Sequence, residues 1–475
     1  MQAVDSNISV DARLQKCLNA EQSLKFGAVC FRDDGTHLEF HVSDSKITDS
    51  LSDELELITR KKVSIHPVNT ELVESALRRF FRKESSENRS FRVSEKQDVL
   101  KAMLLEAKEM DASDIHFEVY EDSARIRFRI DGHLIERYSI SVSEYPALIN
   151  QVKVASKLNI TERRLPQDGR IMVNTADYSF DIRVSIVPTL HGEKAVLRLL
   201  DRNSEDIEIG KLGFGEEQLE TYLECVRKPQ GIVLISGPTG SGKTTTLYAT
   251  LKQLNEESRN ILTIEDPIEY TFEGINQVQL NERIGLTFGK ALKTFLRQDP
   301  DVIMLGEIRD KETAAMAVRA ALTGHLVLST VHTNSAWGTI SRLVDMDVPA
   351  YLISETLNVS VAQRLVRKLC TTCKKEGMLE SGQLPRALGS KHLGATYFKP
   401  VGCKDCFDSG YRGRKALYEV IPIDIELSKA IRTQGSDGTQ TLDKKNIRTI
   451  ADQAMELLLN GETSVEEVYS LLLNT

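Results

Sequence analysis

Short apolar runs, each closed by glycine or by charged residues, recur through the second half of this chain, and segments of helical period separate them. Ile232 to Ile235, between Gly231 and Gly237, is one such run and reads as a buried parallel strand. Thr244 to Leu254 reads as the helix that follows. Ile261 to Ile264 leads into Glu265, Asp266 and Glu269. Val302 to Leu305 leads into Gly306 and Glu307, and Leu326 to Val331 is flanked by His325 and His332. Strands alternating with helices predict a parallel sheet with its ligands at the carboxyl ends of the strands. All of these polar residues are expected at such ends.

The first half has a different rhythm. Ala124 to Ile130 alternates strictly, with Ile126, Phe128 and Ile130 on one side and Arg125, Arg127 and Arg129 on the other, which predicts a half-buried strand. Asp131-Gly132 turns the chain into a second strand. Another pair, around Arg170 to Val173 and Phe180 to Val187, is expected to repeat the pattern after Asp168-Gly169. Ser94 to Gln97 has the form of a capping box, and Val99, Leu100, Met103, Leu104 and Ala107 line one face of the helix behind it. This is an α+β unit with a basic sheet face, which is either a solvated surface or an interface. Farther upstream, Phe26 to Phe31 and Leu38 to Val42 read as short strands. Leu72, Val73, Ala76, Leu77, Phe80 and Phe81 form an apolar stripe at helical spacing. Glu84 to Ser90 is polar, has no period, and reads as a linker.

Composition narrows the class. A chain of 475 residues holds about three domains, and 41% hydrophobic with 27% charged residues is globular. A net charge of -8 argues against nucleic acid as the main partner. No apolar run is long enough to span a bilayer, and the start at Met1 has neither the basic nor the apolar region of a secretory signal. A cytosolic location is expected.

Gly237-Pro238-Thr239-Gly240-Ser241-Gly242-Lys243-Thr244 fits the phosphate-loop pattern at every fixed position, with Thr245 next in the helix. The glycines let main-chain N–H groups turn inward around phosphate oxygens, and the helix N-terminus adds positive potential. Lys243 can reach the outer phosphates, and the Thr244 hydroxyl can hold Mg²⁺. An ordinary glycine-rich turn is the plain alternative. Strand, loop and helix in this order favour a nucleoside triphosphate, ATP. Hydrolysis needs a water-orienting group, and Glu307 after its apolar strand is expected to supply it; the alternative is a salt bridge to Arg309. Glu265 and Glu269 are expected on the metal side or ordering water. His325 and His332 are weighed as contacts to the terminal phosphate against plain structural histidines.

Cys370-x-x-Cys373 and Cys403-x-x-Cys406, with 29 residues between the pairs, satisfy tetrahedral Zn²⁺ with four thiolates. A redox C-x-x-C or four unpaired thiols are the alternatives. The long gap implies an insertion between the knuckles, and Lys374, Lys375 and Lys404 are expected to offset the charge. Cys17, Cys30 and Cys225 have no partner at ligand spacing.

These residues resemble a family. Gly237 to Thr244, Thr263 to Tyr270, Leu296 to Asp310 and Gly324 to Asn334 are similar, in this order, to the Walker A, Asp, Walker B and His boxes of the type II secretion and type IV pilus assembly ATPases. The likeness continues upstream through Ala112 to His116, Arg127 to Gly132, Leu165 to Arg170, Arg183 to Ser185 and Gly192 to Arg198, and covers roughly residues 94 to 475. It implies an α/β fold: a RecA-like ATPase domain at 204–475, a tetracysteine zinc subdomain at 365–425 within it, and a preceding α+β (PAS-like) sheet domain at 94–203. Residues 84–93 would be a linker, and 1–83 a small α+β module that docks on a platform. The resemblance further implies a cytoplasmic homohexamer, peripheral at the inner face of the bacterial inner membrane, engaging the cytoplasmic part of a secretion or pilus platform protein. Arg170 and Arg183 occupy positions from which the sheet domain of the family reaches the phosphates, and Arg198 matches a third basic position. A nucleic-acid motor of the conjugation or DNA-uptake type is the competing expectation, and the net charge weighs against it.

Overall fold

The computed structural model describes residues 20–48, 50–70, 99–175, 178–201, 207–385, 391–434 and 447–473, together with Leu14, Cys17, Leu18, Val73, Leu77, Leu388, Thr441 and Lys445. The capping box at 94–97 and the linker at 84–90 lie outside the described residues. So does most of the stripe at 72–81; its Val73 and Leu77 are helical and buried.

The first sheet has three strands, β1 (Ala28–Asp33), β2 (His37–Ser43) and β3 (Lys62–Val68). β2 runs antiparallel to β1 and parallel to β3. Phe40 and Val42 alternate inward on β2 and pack with Leu51 and Leu55 of the helix Leu51–Thr59.

The second sheet has six antiparallel strands: β4 (Ala112–Val119), β5 (Ala124–Ile130), β6 (His133–Ile140), β7 (Gln167–Asn174), β8 (Ser179–Thr189) and β9 (Gly192–Asp201). Their order is β6-β5-β4-β9-β8-β7. The helices Val99–Glu109 and Tyr145–Ala155 share its apolar core, and all five apolar residues expected to line the first helix are buried. β5 alternates buried and half-buried residues as its sequence does. Asp168-Gly169 departs from expectation, because it lies inside β7 rather than before a strand. A Cβ on Gly169 would stand 2.8 Å from the Ser156 carbonyl oxygen, so the glycine permits close approach of the preceding segment. The chain turns later, between Asn174 and Ser179.

The third sheet has seven strands. β10 (Gly231–Ser236), β11 (Ile261–Glu265), β12 (Ile275–Gln279), β13 (Val302–Leu305), β14 (Leu326–Val331) and β15 (Leu357–Leu369) are parallel, in the order β12-β11-β13-β14-β10-β15. Two apolar clusters cover its two faces, which is why its central strands are apolar throughout rather than alternating. The chain then makes a small antiparallel hairpin, β16 (Lys375–Met378) with β17 (Thr396–Lys399). The hairpin fills the long gap between the cysteine pairs. β18 (Tyr411–Pro422) returns antiparallel along β15 and closes the sheet edge.

Candidate active site

Every residue of β10 is buried, and the chain leaves it at Gly237 with φ 150°. A Cβ there would lie 2.5 Å from the Gln363 carbonyl oxygen and 2.6 Å from Ser241 Oγ, so only glycine fits. Pro238, Thr239 and Gly240 are exposed at the crest of the loop, and Gly242 leads into the helix Lys243–Leu254. Lys243 is buried, and its Nζ donates to the carbonyl oxygens of Gly237 (2.9 Å) and Pro238 (3.1 Å). Burial lowers its proton affinity, and the Glu307 carboxylate opposes that effect. Thr244 is exposed in the first helical turn, where its hydroxyl can hold Mg²⁺; Thr245 is half-buried behind it.

Glu307 stands two residues beyond β13. Its Oε1 is 2.5 Å from Arg309 Nη2 and its Oε2 is 3.3 Å from His332 Nε2. His332 is the first residue after β14. Glu307, His332 and the phosphate loop therefore share the carboxyl edge of the sheet. His325 does not. It precedes β14, its Nδ1 lies 2.9 Å from the Ala320 carbonyl oxygen, and its own carbonyl accepts the Gly231 N–H at the far end of β10. A six-residue strand separates it from the loop, roughly 20 Å at about 3.3 Å per residue. His325 is thus placed to brace the turn after Leu322, not to reach a phosphate held in this loop.

The carboxylates after β11 are also divided. Glu265 is 3% exposed and accepts hydrogen bonds from Tyr248 Oη, Thr263 Oγ1 (2.7 Å) and Gln277 Nε2 (3.1 Å). With its oxygens so engaged, it anchors protein instead of facing a metal. Tyr248 Oη also accepts the main-chain N–H of Glu269 (3.0 Å), so the pair Tyr248–Glu265 fixes where the Glu269 segment begins. Asp266 is exposed. Glu269 turns to the other sheet: its Oε1 is 3.2 Å from Arg183 Nη1, and Arg183 Nη2 donates to the Ile268 carbonyl (2.9 Å). Glu269 Oε2 and Arg183 Nε are buried without a protein partner among the described residues.

Strand register explains the arginines. Arg170 on β7 is directly opposite Arg183 on β8, and Arg183 is opposite Arg198 on β9. Arg198 in turn is opposite Asp114 on β4. Directly opposed residues project from the same face, and like charges so placed repel. Each arginine therefore needs an anion. Arg198 has Asp114, at 2.9 Å, and Arg183 has Glu269. Arg170 is exposed, at the rim of a cleft of about 340 Å³ that Arg183, Glu269, Tyr270 and Gln279 also line. The rest of the basic face is neutralised internally. Arg125, Arg127 and Lys194 surround the buried Glu118; burial raises the proton affinity of that carboxyl, but the hydrogen bonds from Arg127 and Arg125 prevail and bring its pKa to about 2.

The four cysteines converge. Their Sγ atoms all lie within 4.8 Å of one another, with Cys370–Cys403 and Cys373–Cys406 at 3.8 Å and Cys403–Cys406 at 3.7 Å. Four thiolates at about 2.3 Å from a tetrahedral Zn²⁺ stand about 3.8 Å apart, so the set fits zinc. The main-chain N–H groups of Gly402, Cys403 and Gly410 point at the sulfurs. Lys374, expected to offset the thiolate charge, instead donates to the Gly461 carbonyl (2.7 Å) and lies over the Phe398 ring.

Spacing did not point to Tyr248, Gln277, Gln363 or Arg364, all of which touch the loop or its carboxylates. A polar pair closing the run Val359 to Ala362 was the available signal for the last two, since Ala362 is in register with Ser236 at the loop's start.

The pattern that defines the Type II/IV secretion system protein family matches residues 92–470. The chain belongs to this family of ATPases. It is 46% identical over 376 residues to the type IV pilus assembly ATPase PilB of Myxococcus xanthus, covering 77% of this chain and 66% of that protein. It is also 46% identical over 374 residues to type II secretion system protein E of Pseudomonas aeruginosa, covering 78% and 74%. The chain thus spans about two thirds to three quarters of the length of these relatives. Among solved structures, the pilus retraction motor PilT with bound ADP superposes with a TM-score of 0.54 at 28% identity, over 78% of this chain and 96% of that one. The ATPase DotB of Legionella pneumophila gives a TM-score of 0.59 at 23% identity, over 79% and 95%, which is a likeness of fold. Among the described residues, no helix is long and apolar enough to cross a membrane.

Proposed function

We propose that this member of the family is a mechanical ATPase that hydrolyses Mg·ATP between its six-stranded and seven-stranded sheets. The turnover drives assembly of pilin-like subunits at a membrane platform. The observation that carries this reading is the contact between the two sheets: Arg183 of the six-stranded sheet pairs with Glu269, in the segment that follows β11 and is bonded to Tyr248 of the phosphate-loop helix, while the loop, Glu307 and His332 share the carboxyl edge of the seven-stranded sheet. In this reading the phosphate loop and Lys243 bind the polyphosphate, and Thr244 would hold a Mg²⁺ ion, which would supply further charge neutralisation when bound. Glu307 orients and deprotonates the attacking water. His332, hydrogen-bonding Glu307, sets that carboxylate's direction. Arg170 and Arg183 stabilise charge that grows on the transferred group, and Glu269 holds Arg183 at the cleft. Glu265 and His325 take structural roles. Because the arginines ride on a separate sheet, hydrolysis and relative movement of the two parts are coupled.

The chain would work as a homohexamer in the cytoplasm, peripheral at the inner face of the inner membrane. It would dock there on the cytoplasmic part of a secretion or pilus platform protein. The names of the relatives, one from pilus assembly and one from type II secretion, support this class of task. A tetracysteine zinc site closes the strand β15–β18 region. The reading is tested by steady-state ATP turnover of the full chain and its Glu307→Gln variant. Turnover should be lost while nucleotide binding persists; equal rates would remove Glu307 from the proposed chemistry.

A further inference from the structure

Arg364, on β15, is a cation beside the phosphate loop that the hydrolysis scheme does not use. It is half-buried, and no carboxylate pairs with it among the described residues. Its Nη1 donates to the Gln363 carbonyl (3.1 Å) and its Nη2 to the Asn334 carbonyl (2.7 Å), which spends two of its five N–H donors on main-chain oxygens. Nη1 also stands 3.2 Å from the point where a Cβ on Gly237 would sit. Ser241 Oγ stands 2.6 Å from that same point, and it is buried without a protein partner among the described residues. Guanidinium and hydroxyl thus both lie beside Gly237, at the start of the loop.

Lys243 is the second cation there, and its ammonium likewise rests on carbonyl oxygens. A buried and a half-buried cation whose hydrogen bonds go only to main-chain oxygens leave a positive charge that their immediate neighbours do not neutralise. Burial disfavours the charged form of each, and Glu307 and Glu419 compensate only from a distance. An anion seated in the loop would complete the cluster. The Asn334 carbonyl belongs to the loop that begins with His332, and His332 faces Glu307. One side chain therefore spans the phosphate loop and the loop that orients the water-directing carboxylate.

We propose that Arg364 reads the terminal phosphate of the nucleotide and positions the His332 loop in response. Its free donors turn toward a triphosphate and find less to bind in a diphosphate, and its bond to Asn334 carries the difference to His332 and Glu307. This rests on the ATPase reading above. The test uses the full chain, with ADP and the slowly hydrolysed analogue ATPγS as probes in calorimetric titration, and the variants Arg364→Gln and Arg364→Lys. Arg364→Gln should weaken ATPγS at least tenfold and ADP less than threefold. Arg364→Lys should keep more of that preference, because the charge stays, yet lose kcat because a lysine cannot bridge to Asn334 and Gln363 together. Equal losses for both nucleotides, or none, would assign Arg364 to bracing alone and overturn the proposal. If Arg364→Gln does not fold, the ATPγS-to-ADP ratio of Arg364→Lys decides, with an unchanged ratio and unchanged kcat counting against it. A wild-type chain that binds neither nucleotide would instead sink the ATPase reading.

Discussion

Tyr248→Phe isolates one hydroxyl at the base of the site. The ring packs edge-on to Tyr270 (5.6 Å) and Phe272 (5.3 Å), and phenylalanine keeps both contacts. What is lost is a donor to the buried Glu265 carboxylate and an acceptor for the Glu269 N–H. Tyr248 is fully buried, so water does not take the place of the hydroxyl. A hydrogen bond to a charged group contributes about 1.5–3 kcal/mol, and an orphaned buried partner adds its desolvation cost. The expected loss is therefore about 2–4 kcal/mol. At roughly 2–4 °C per kcal/mol for a unit of this size, the melting temperature of the ATPase part should fall by roughly 4–16 °C. Kinetics separate position from binding. The phosphate loop is untouched, so KM for ATP should hold within about twofold, while a displaced Glu269 releases Arg183 and kcat falls about tenfold, or ~1.4 kcal/mol. Calorimetric melting and steady-state kinetics on the same preparation check both parts. An unchanged melting temperature, or a rise in KM with kcat intact, would refute the claim that this hydroxyl fixes the Glu269 segment.

The remaining predictions concern the parts that hold the site. Glu118, depressed from 4.5 to about 2, contributes stability that is present above pH 4.5 and is lost as the pH falls toward 2. Thermal melting at neutral pH should therefore show the six-stranded sheet less stable in Glu118→Gln than in the wild type, and repeating it at falling pH should narrow the gap as the pH approaches 2; a constant gap would contradict the assignment. Purified protein should carry about one Zn²⁺ per chain by metal analysis, and Cys370→Ser should lose both the metal and soluble expression. A metal-free, soluble wild type would end the zinc assignment.

Local sequence reveals what depends on neighbours along the chain. The apolar run, glycine loop and helix from Gly231 to Leu254 fold as they read, because burial on both faces and the φ demands of Gly237 and Gly242 are local properties. The alternation of Ala124 to Ile130 likewise fixes which side of β5 is inward. It does not fix register. That Arg170, Arg183 and Arg198 form one row across three strands follows only from which strands pair and how they slide, and a shift of one residue would have sent each to the opposite face. Sequence leaves His325 between two roles for a related reason. A polar residue beside a buried strand marks an end of that strand, but its pattern does not say which end carries the ligand. Glu265 looked free to face a metal because Tyr248 and Gln277, which occupy it, come from separate elements. Asp168-Gly169 carries the composition of a turn, yet its glycine answers a close backbone approach from another segment.

Hydrolysis completed by arginines from the second sheet is the claim on which the rest depends, and single-turnover hydrolysis by Arg183→Gln tests it most directly. Removing one preorganised donor to a transition state costs about a hundredfold or more in rate. Bound ATP should therefore persist, with affinity within about threefold of the wild type, while the chemical step slows at least about a hundredfold. Hydrolysis of bound ATP at the wild-type rate would show that the site is complete within the seven-stranded sheet, and the proposed coupling between the two sheets would fall.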